Sequence, residues 1–319
     1  VTDGNGLLSA RLLVVAFEGW NDAGEAATGA VRALKELLDV DEIAQVDPEV
    51  YFDYQFNRPT ISTNEDGRRL IEWPSAIMYG PKTPGAAGVP LAEDAQLRVS
   101  GTNAGNIYLL LGTEPSRSWK SFAAEILDAA LAADVSAVVF LGAMLADVPH
   151  TRPISIFVSS DNPQVRAELQ VERSNYEGPV GILSVLAEAA EKVGIPTLSI
   201  WASVPHYVHN APSPKAMLAL IDKLEEIIDV VIPRGDLVAE AAEWESGIDA
   251  LAAEDEEMAA YIAQLEQARD TVDSPEASGE AIAQEFERYL RKRGDGRDGR
   301  DGQGGWADGR PGPDAPRAP

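Results

Sequence analysis

The sequence contains no cysteine. Disulfides, thiolate metal sites and cysteine nucleophiles are therefore excluded together. Cations are scarce as well: 26 Lys and Arg stand against 52 Asp and Glu, a net charge of −26 over 319 residues. Nucleic acids and anionic membranes are held by clustered cations, so neither is an expected partner. Acidity of this size serves solubility first, with basic protein surfaces as the remaining partners it favours. No apolar run approaches the length of a membrane span, the longest nearly unbroken one being Ala137 to Ala146. A signal-peptide layout is missing too, because Arg11 is followed by only six apolar residues; the cytoplasm is the expected location. There is no Gly-x-Ser-x-Gly elbow and no Gly-x-Gly-x-x-Gly turn after a strand. No catalytic residue, cofactor or metal ion is expected from these patterns.

What the chain does have is a hydrophobic fraction of 45%, ordinary for a globular protein with a real core. From Arg11 onward, short β-branched runs alternate with helical patterns, which reads as an α/β domain. Strands are predicted at 12–17, 42–46, 107–111, 137–141, 154–158 and 197–201, and helices at 23–38, 119–132, 163–170, 181–193 and 214–228. Runs such as Ala137-Val-Val-Phe-Leu141 are apolar on both faces, so helices should cover both sides of the sheet. Residues 60–62 and 68–73 flank Asn64-Glu-Asp-Gly67 and predict a hairpin, which makes a mixed sheet the expectation. The Gly- and Pro-rich stretch 81–105 reads as a long loop. Beyond 236, Leu237, Ala241, Trp244, Ile248, Leu251, Met258, Ile262 and Leu265 step by fours and threes, with Asp255 at the one skipped position. This acidic seam is expected to fold back on its own domain, leaving subunits to meet through the α/β part. The domain plan is thus a flexible 1–9, a core over 10–235, an acidic helical appendage over 236–293 capped at Ser274-Pro275, and a low-complexity, disordered tail over 294–319.

The candidate site lies at strand ends. Gly24-Glu-Ala-Ala-Thr-Gly29 has the glycine spacing of a phosphate-binding loop, yet Ala30-Val31 stands where the lysine and hydroxyl residue would be. Asn21 and Asp22 are expected to cap the first helix, with Asp22 repelling any anion. Glu18 and Asp22 form a possible acid/base pair. Trp20, with no other large apolar group on its turn, is expected to be buried. His150 and Arg152 follow a buried strand, Arg152 pairing with Asp147. His206 and His209 follow another strand, and at a spacing of three they suit a metal only with a converging third ligand.

Five ordered motifs carry a resemblance. They are Phe17-Glu-Gly-Trp-Asn-Asp-Ala-Gly24, Leu111-Gly-Thr-Glu-Pro115, Gly142-Ala-Met-Leu-Ala-Asp-Val-Pro-His-Thr-Arg-Pro153, Gly178-Pro-Val-Gly-Ile182 and Ser203-Val-Pro-His-Tyr-Val-His209. Together they resemble the proteasome assembly chaperone 2 family in its actinobacterial-type branch, over about residues 10–230. The resemblance implies a three-layer α/β/α core similar to that of purine nucleoside phosphorylases and a non-catalytic, assembly-chaperone-like role toward proteasome α-subunits. It also implies self-association, for which three copies is the working number. Relatives that dock into an α-ring use a penultimate tyrosine; the sequence here ends Arg317-Ala-Pro319, so docking by that route is not expected. The alternative is a small-molecule binder or enzyme of the phosphorylase/hydrolase-like fold. The ligase label on some relatives finds no nucleotide-binding motif here.

Overall fold

The structure, a computed structural model, describes residues 11–64, 66–82, 104–209, 211–228 and 230–272. The expectations for 1–9, for nearly all of the 81–105 loop, for the helix after Ser274 and for the 294–319 tail lie outside those residues.

The chain begins with β1 (Leu12–Glu18), whose side chains serve two cores at once. Leu12, Val14 and Ala16 face one layer and Leu13, Val15 and Phe17 the other, all of them buried. Such a strand must sit mid-sheet between helical layers. The first layer is α1 (Ala26–Leu37) with α6 (Pro214–Ile228); the second is α3 (Trp119–Ala132) with α5 (Ile182–Lys192). Between them runs a seven-stranded sheet in the order β2-β5-β6-β1-β7-β9-β8. Its strands are β2 (Val40–Gln45), β5 (Ala76–Pro81), β6 (Ile107–Thr113), β7 (Ala137–Ala146), β8 (Ile156–Ser159) and β9 (Thr197–Pro205), besides β1. β6, β1, β7 and β9 are mutually parallel. The short helices α2 (Pro48–Tyr51) and α4 (Pro163–Leu169) fill connections.

The sheet is mixed, as expected, though through different strands. β5 runs antiparallel to β6 and β2, and β8 runs antiparallel to β9. The predicted hairpin, β3 (Thr60–Thr63) and β4 (Arg69–Glu72), forms a separate two-stranded sheet. β5 had no sequence signal, because its Ala-Ile-Met-Tyr-Gly-Pro run follows Pro74 and ends in Gly-Pro.

The acidic seam is two helices, α7 (Leu237–Glu254) and α8 (Glu256–Val272). Asp255 leaves helical geometry at φ −130° and then caps α8, its Oδ1 accepting from the Glu257 and Met258 amides at 2.9 and 3.1 Å. Leu237, Ala241, Ile248 and Ile262 are buried, and α7 packs on α6, so the seam does fold back on its own domain. Leu251 is an exception at 61% exposure.

Candidate functional site

The carboxyl ends of β1, β6, β7 and β9 share one edge of the sheet, where open α/β folds usually bind their ligands. The turn after β1 is curled by two consecutive left-handed residues, Gly24 at φ 60° and Glu25 at φ 49°. Only glycine takes the first of these without strain. The curl swings Asp22 back over the start of α1. Its Oδ1 accepts from the Ala27 and Thr28 amides at 2.7 and 3.2 Å, and its Oδ2 accepts from the Thr28 hydroxyl. Asp22 is thus the cap that the sequence predicted, although it lies four residues before the helix. Burial outweighs these bonds and pushes its carboxyl above the ordinary range.

Asn21 does something else. It is 2% exposed and donates from Nδ2 to Glu114 Oε1 at 3.0 Å. The same oxygen accepts the Ile182 amide at 2.8 Å, placing the Glu114 carboxylate at the positive end of α5. Asn21 lies against Gly181, where any Cβ would come within 2.3 Å of its amide oxygen. Three of the sequence motifs therefore meet in one packing contact. Glu114 was missed as a candidate because its partners come from the first turn and from α5, far along the chain. Glu18 is held by Arg32 and by the Thr113 hydroxyl at 3.0 Å, so Glu18 and Asp22 each serve a local bond. Trp20 overturns its expectation: it is 58% exposed. Gly19 before it is exposed as well, and only Asn21 and Asp22 after it turn inward, so the indole sits at the outer part of the turn.

The second cluster gathers the histidine loops under the appendage. His150 is fully buried. Its Nδ1 lies 2.8 Å from the Tyr207 hydroxyl, its Nε2 lies 3.1 Å from Asp249 on α7, and its own amide donates to the Tyr207 oxygen at 2.7 Å. These bonds are mutually satisfied when Nε2 carries the proton: it donates to Asp249, and Tyr207 donates to Nδ1. Trp244 of α7 lies edge-on to the imidazole. Lys215 ties the His150 carbonyl to Glu245 of the same helix. Burial raises the Tyr207 phenol to about 12, and burial with Asp147 nearby raises Tyr261 to about 12.

Arg152 does not pair with Asp147. Its fork grips Asp270 of α8 through Nε and Nη2, both at 2.8 Å, and reaches Glu266 at 3.3 Å. This bidentate bond holds the Asp270 carboxyl below its ordinary range. Asp147 instead accepts from the Tyr261 hydroxyl at 3.3 Å and lies 3.3 Å from Nδ1 of His206. His206 packs edge-to-face on Tyr207 and Tyr261. His209 is exposed, its Nδ1 facing the His206 carbonyl oxygen at 2.8 Å, so the two imidazoles do not converge. Among the described residues no group of His, Asp and Glu is placed to hold a metal ion. The turn itself is tied to strand β7 and to the start of α6: the Asn21 carbonyl accepts from Ala143 at 2.8 Å, and Gly24 accepts from Ser213 at 2.7 Å. α7 and α8 nevertheless provide the partners of His150 and Arg152.

Residues 16–252 match the profile of the PAC2 family. The chain belongs to the PAC2 family. A PAC2 family protein of Streptomyces avermitilis is 40% identical, with a TM-score of 0.66 over 78% of this chain and 98% of that one. A proteasome-assembly chaperone homologue of Mycobacterium tuberculosis is 37% identical, with a TM-score of 0.65 over 79% of this chain and 99% of the other. The PAC2 fold reaches further. A Pyrococcus furiosus protein described as an archaeal proteasome activator shares it at 14% identity and a TM-score of 0.55, over 75% and 92% of the two chains. No curated protein matches the sequence. In PAC2 terms, the family-like motifs of the first turn, of Glu114 and of Gly181 form one buried joint.

The joint carries a pH prediction. The fold holds the Asp22 proton more tightly than the unfolded chain does. The stability this group adds is therefore complete below its ordinary 3.8 and is lost as the pH rises through the elevated value. Asp22→Asn keeps the acceptor for the Ala27 and Thr28 amides and has no charge to bury, while the Thr28 hydroxyl turns to accept from the new amide NH2. In thermal melts the variant should gain on the wild type as the pH rises above about 4. A variant that loses ground over that range would overturn the assignment.

Proposed function

We propose that this protein is a non-enzymatic, assembly-chaperone-like interaction protein that acts in the cytoplasm on proteasome α-subunits and associates with further copies of itself. One observation carries this. Glu18, Asn21, Asp22, His150 and Arg152 are engaged in bonds that build the fold, and Trp20, on the same turn as the first three, leaves 58% of its surface exposed. An exposed tryptophan beside rigidly anchored backbone is what protein interfaces use as an anchor. The kinship with an assembly-chaperone homologue supports the choice of partner. The alternative, a small-molecule site of phosphorylase type, has less support. An incoming anion would meet Glu18, Asp22 and Glu114 and compete with the bonds that close the turn.

Native mass spectrometry with proteasome α-subunits tests the proposal. A complex should form at micromolar concentration. Trp20→Ala should weaken it by on the order of tenfold while costing less than about 1 kcal/mol of stability. Absence of a complex with the wild type, or capture that Trp20→Ala leaves unchanged, would sink it.

A further inference from the structure

The β3–β4 hairpin stands away from both cores. Seven of its eight ladder residues are exposed, although a two-stranded hairpin is only marginally stable without a third layer. Its register pairs Ile61 with Ile71 and Thr63 with Arg69, so one face carries Ile61, Thr63, Ile71 and Arg69 and no acid. Ser62 and Glu72 bond to each other on the opposite face. Phe56 precedes the hairpin at 82% exposure, and Trp73 follows it, tilted against the Tyr54 ring and still half exposed. Arg58, Arg68 and Arg69 balance Glu65, Asp66 and Glu72, so the arm is neutral overall on a chain whose net charge is −26. The face that holds Ile61, Ile71 and Arg69 is apolar with a single positive charge, and it fits an acidic surface with room for bulky side chains.

The chain itself bears such a surface. α7 has five acids and no Lys or Arg among its 18 residues. Its inner face is spent on Leu237, Ala241 and Ile248. Its outer face presents Ala239, Ala242, Ser246 and Ala250, bordered by Glu240 and Glu243, all exposed. The acidity that would make two copies of α7 repel each other makes it an acceptor for an arginine-bearing arm. The two surfaces also lie apart. The arm leads into β5 near one end of the strand order, whereas α7 lies on α6, which packs against β8 and β9 at the other end.

We infer that the hairpin arm of one copy docks on the outer face of α7 of the next, joining subunits head to tail. Ile61 and Ile71 lie over the small side chains, and Arg69 pairs with Glu243. Contact between unlike surfaces closes a ring rather than a two-fold pair, which suits an assembly of three. Half of the contact is thus in the α/β domain and half in the appendage. The inference rests on the proposal that the protein self-associates, and it identifies the surfaces used.

Sedimentation velocity on the full chain tests it, with circular dichroism confirming that the exposed substitutions leave the fold intact. The wild type should sediment as a closed oligomer. Ile71→Asp, which spoils the arm, and Ser246→Arg, which spoils the helix face, should each weaken association by on the order of tenfold or more and sediment as monomers. An equal mixture of the two variants retains one good arm and one good helix face, and should form a dimer. An oligomer that survives Ile71→Asp, a mixture that stays monomeric, or a monomeric wild type would each overturn the inference. The α-subunit experiment reads separately: capture by a monomeric wild type would leave the chaperone proposal standing without the arm contact.

Discussion

Replacing His150 with alanine is expected to cost about 3 kcal/mol or more of stability. The imidazole is fully buried and fills the space between the β7 loop, Tyr207 and Trp244. Its removal leaves a cavity there. It also takes the acceptor from the half-buried Tyr207 hydroxyl and the donor from the exposed Asp249 carboxylate. Losing the bond from a half-buried hydroxyl adds about 1 kcal/mol to the cost of the cavity. The loss should be felt most in α7, because His150 and Lys215 tie that helix to the core, whereas Asp147, Thr151 and Arg152 tie α8. Urea unfolding should show the drop, and limited proteolysis of the variant should cut first within α7 or α8. A change under about 1 kcal/mol with unaltered proteolysis would mean that the His150 side chain does not hold the appendage.

Gly112→Ala should be comparably damaging for a different reason. A Cβ at Gly112 would lie 2.3 Å from the Ser75 carbonyl oxygen and 2.5 Å from the Ala76 Cα. Both are backbone atoms at the start of β5, and neither can swing aside as a side chain would. The Ser75 oxygen also accepts the Thr113 amide at 2.8 Å, so relieving the clash breaks a bond between adjoining strands. The expected cost is about 3 kcal/mol, at the upper end for overpacking. Gly247→Ala provides the contrast: its Cβ would meet nothing, and α7 should gain about 0.5–1 kcal/mol. Equal effects from the two substitutions would show that the Gly112 contact is not tight in solution.

Local signals read correctly where the responsible chemistry spans only a few residues. Ser213-Pro214 opens α6 as predicted, with Ser213 Oγ accepting from the Ala216 amide at 3.3 Å. The boundaries of α3 and α6 coincide with those expected from periodicity. The double-sided apolar runs of β1 and β7 announced a sheet covered on both faces, because a strand buried on both sides has no polar alternation to show. The capping role of Asp22 was legible too, although its path through two left-handed residues was not. Trp20 went wrong for an instructive reason. A large apolar residue at a turn is expected to find cover, but that depends on which way the anchored neighbours aim the backbone.

By itself the sequence determined an acidic, cysteine-free α/β domain with a helical appendage, along with the family to which its five motifs belong. Those properties follow from composition, local caps and periodicities of two and 3.6, which act within a turn or a strand. Only the tertiary structure decided what the motif residues do. Asn21 meets Glu114 and Gly181, Arg152 takes Asp270 in place of the nearby Asp147, and His150 finds Asp249 at a separation of 99 residues. Side-chain partners of this kind are set by strand order and helix docking. A carboxylate close in sequence has no claim on a guanidinium once the fold brings a better-aligned one within reach.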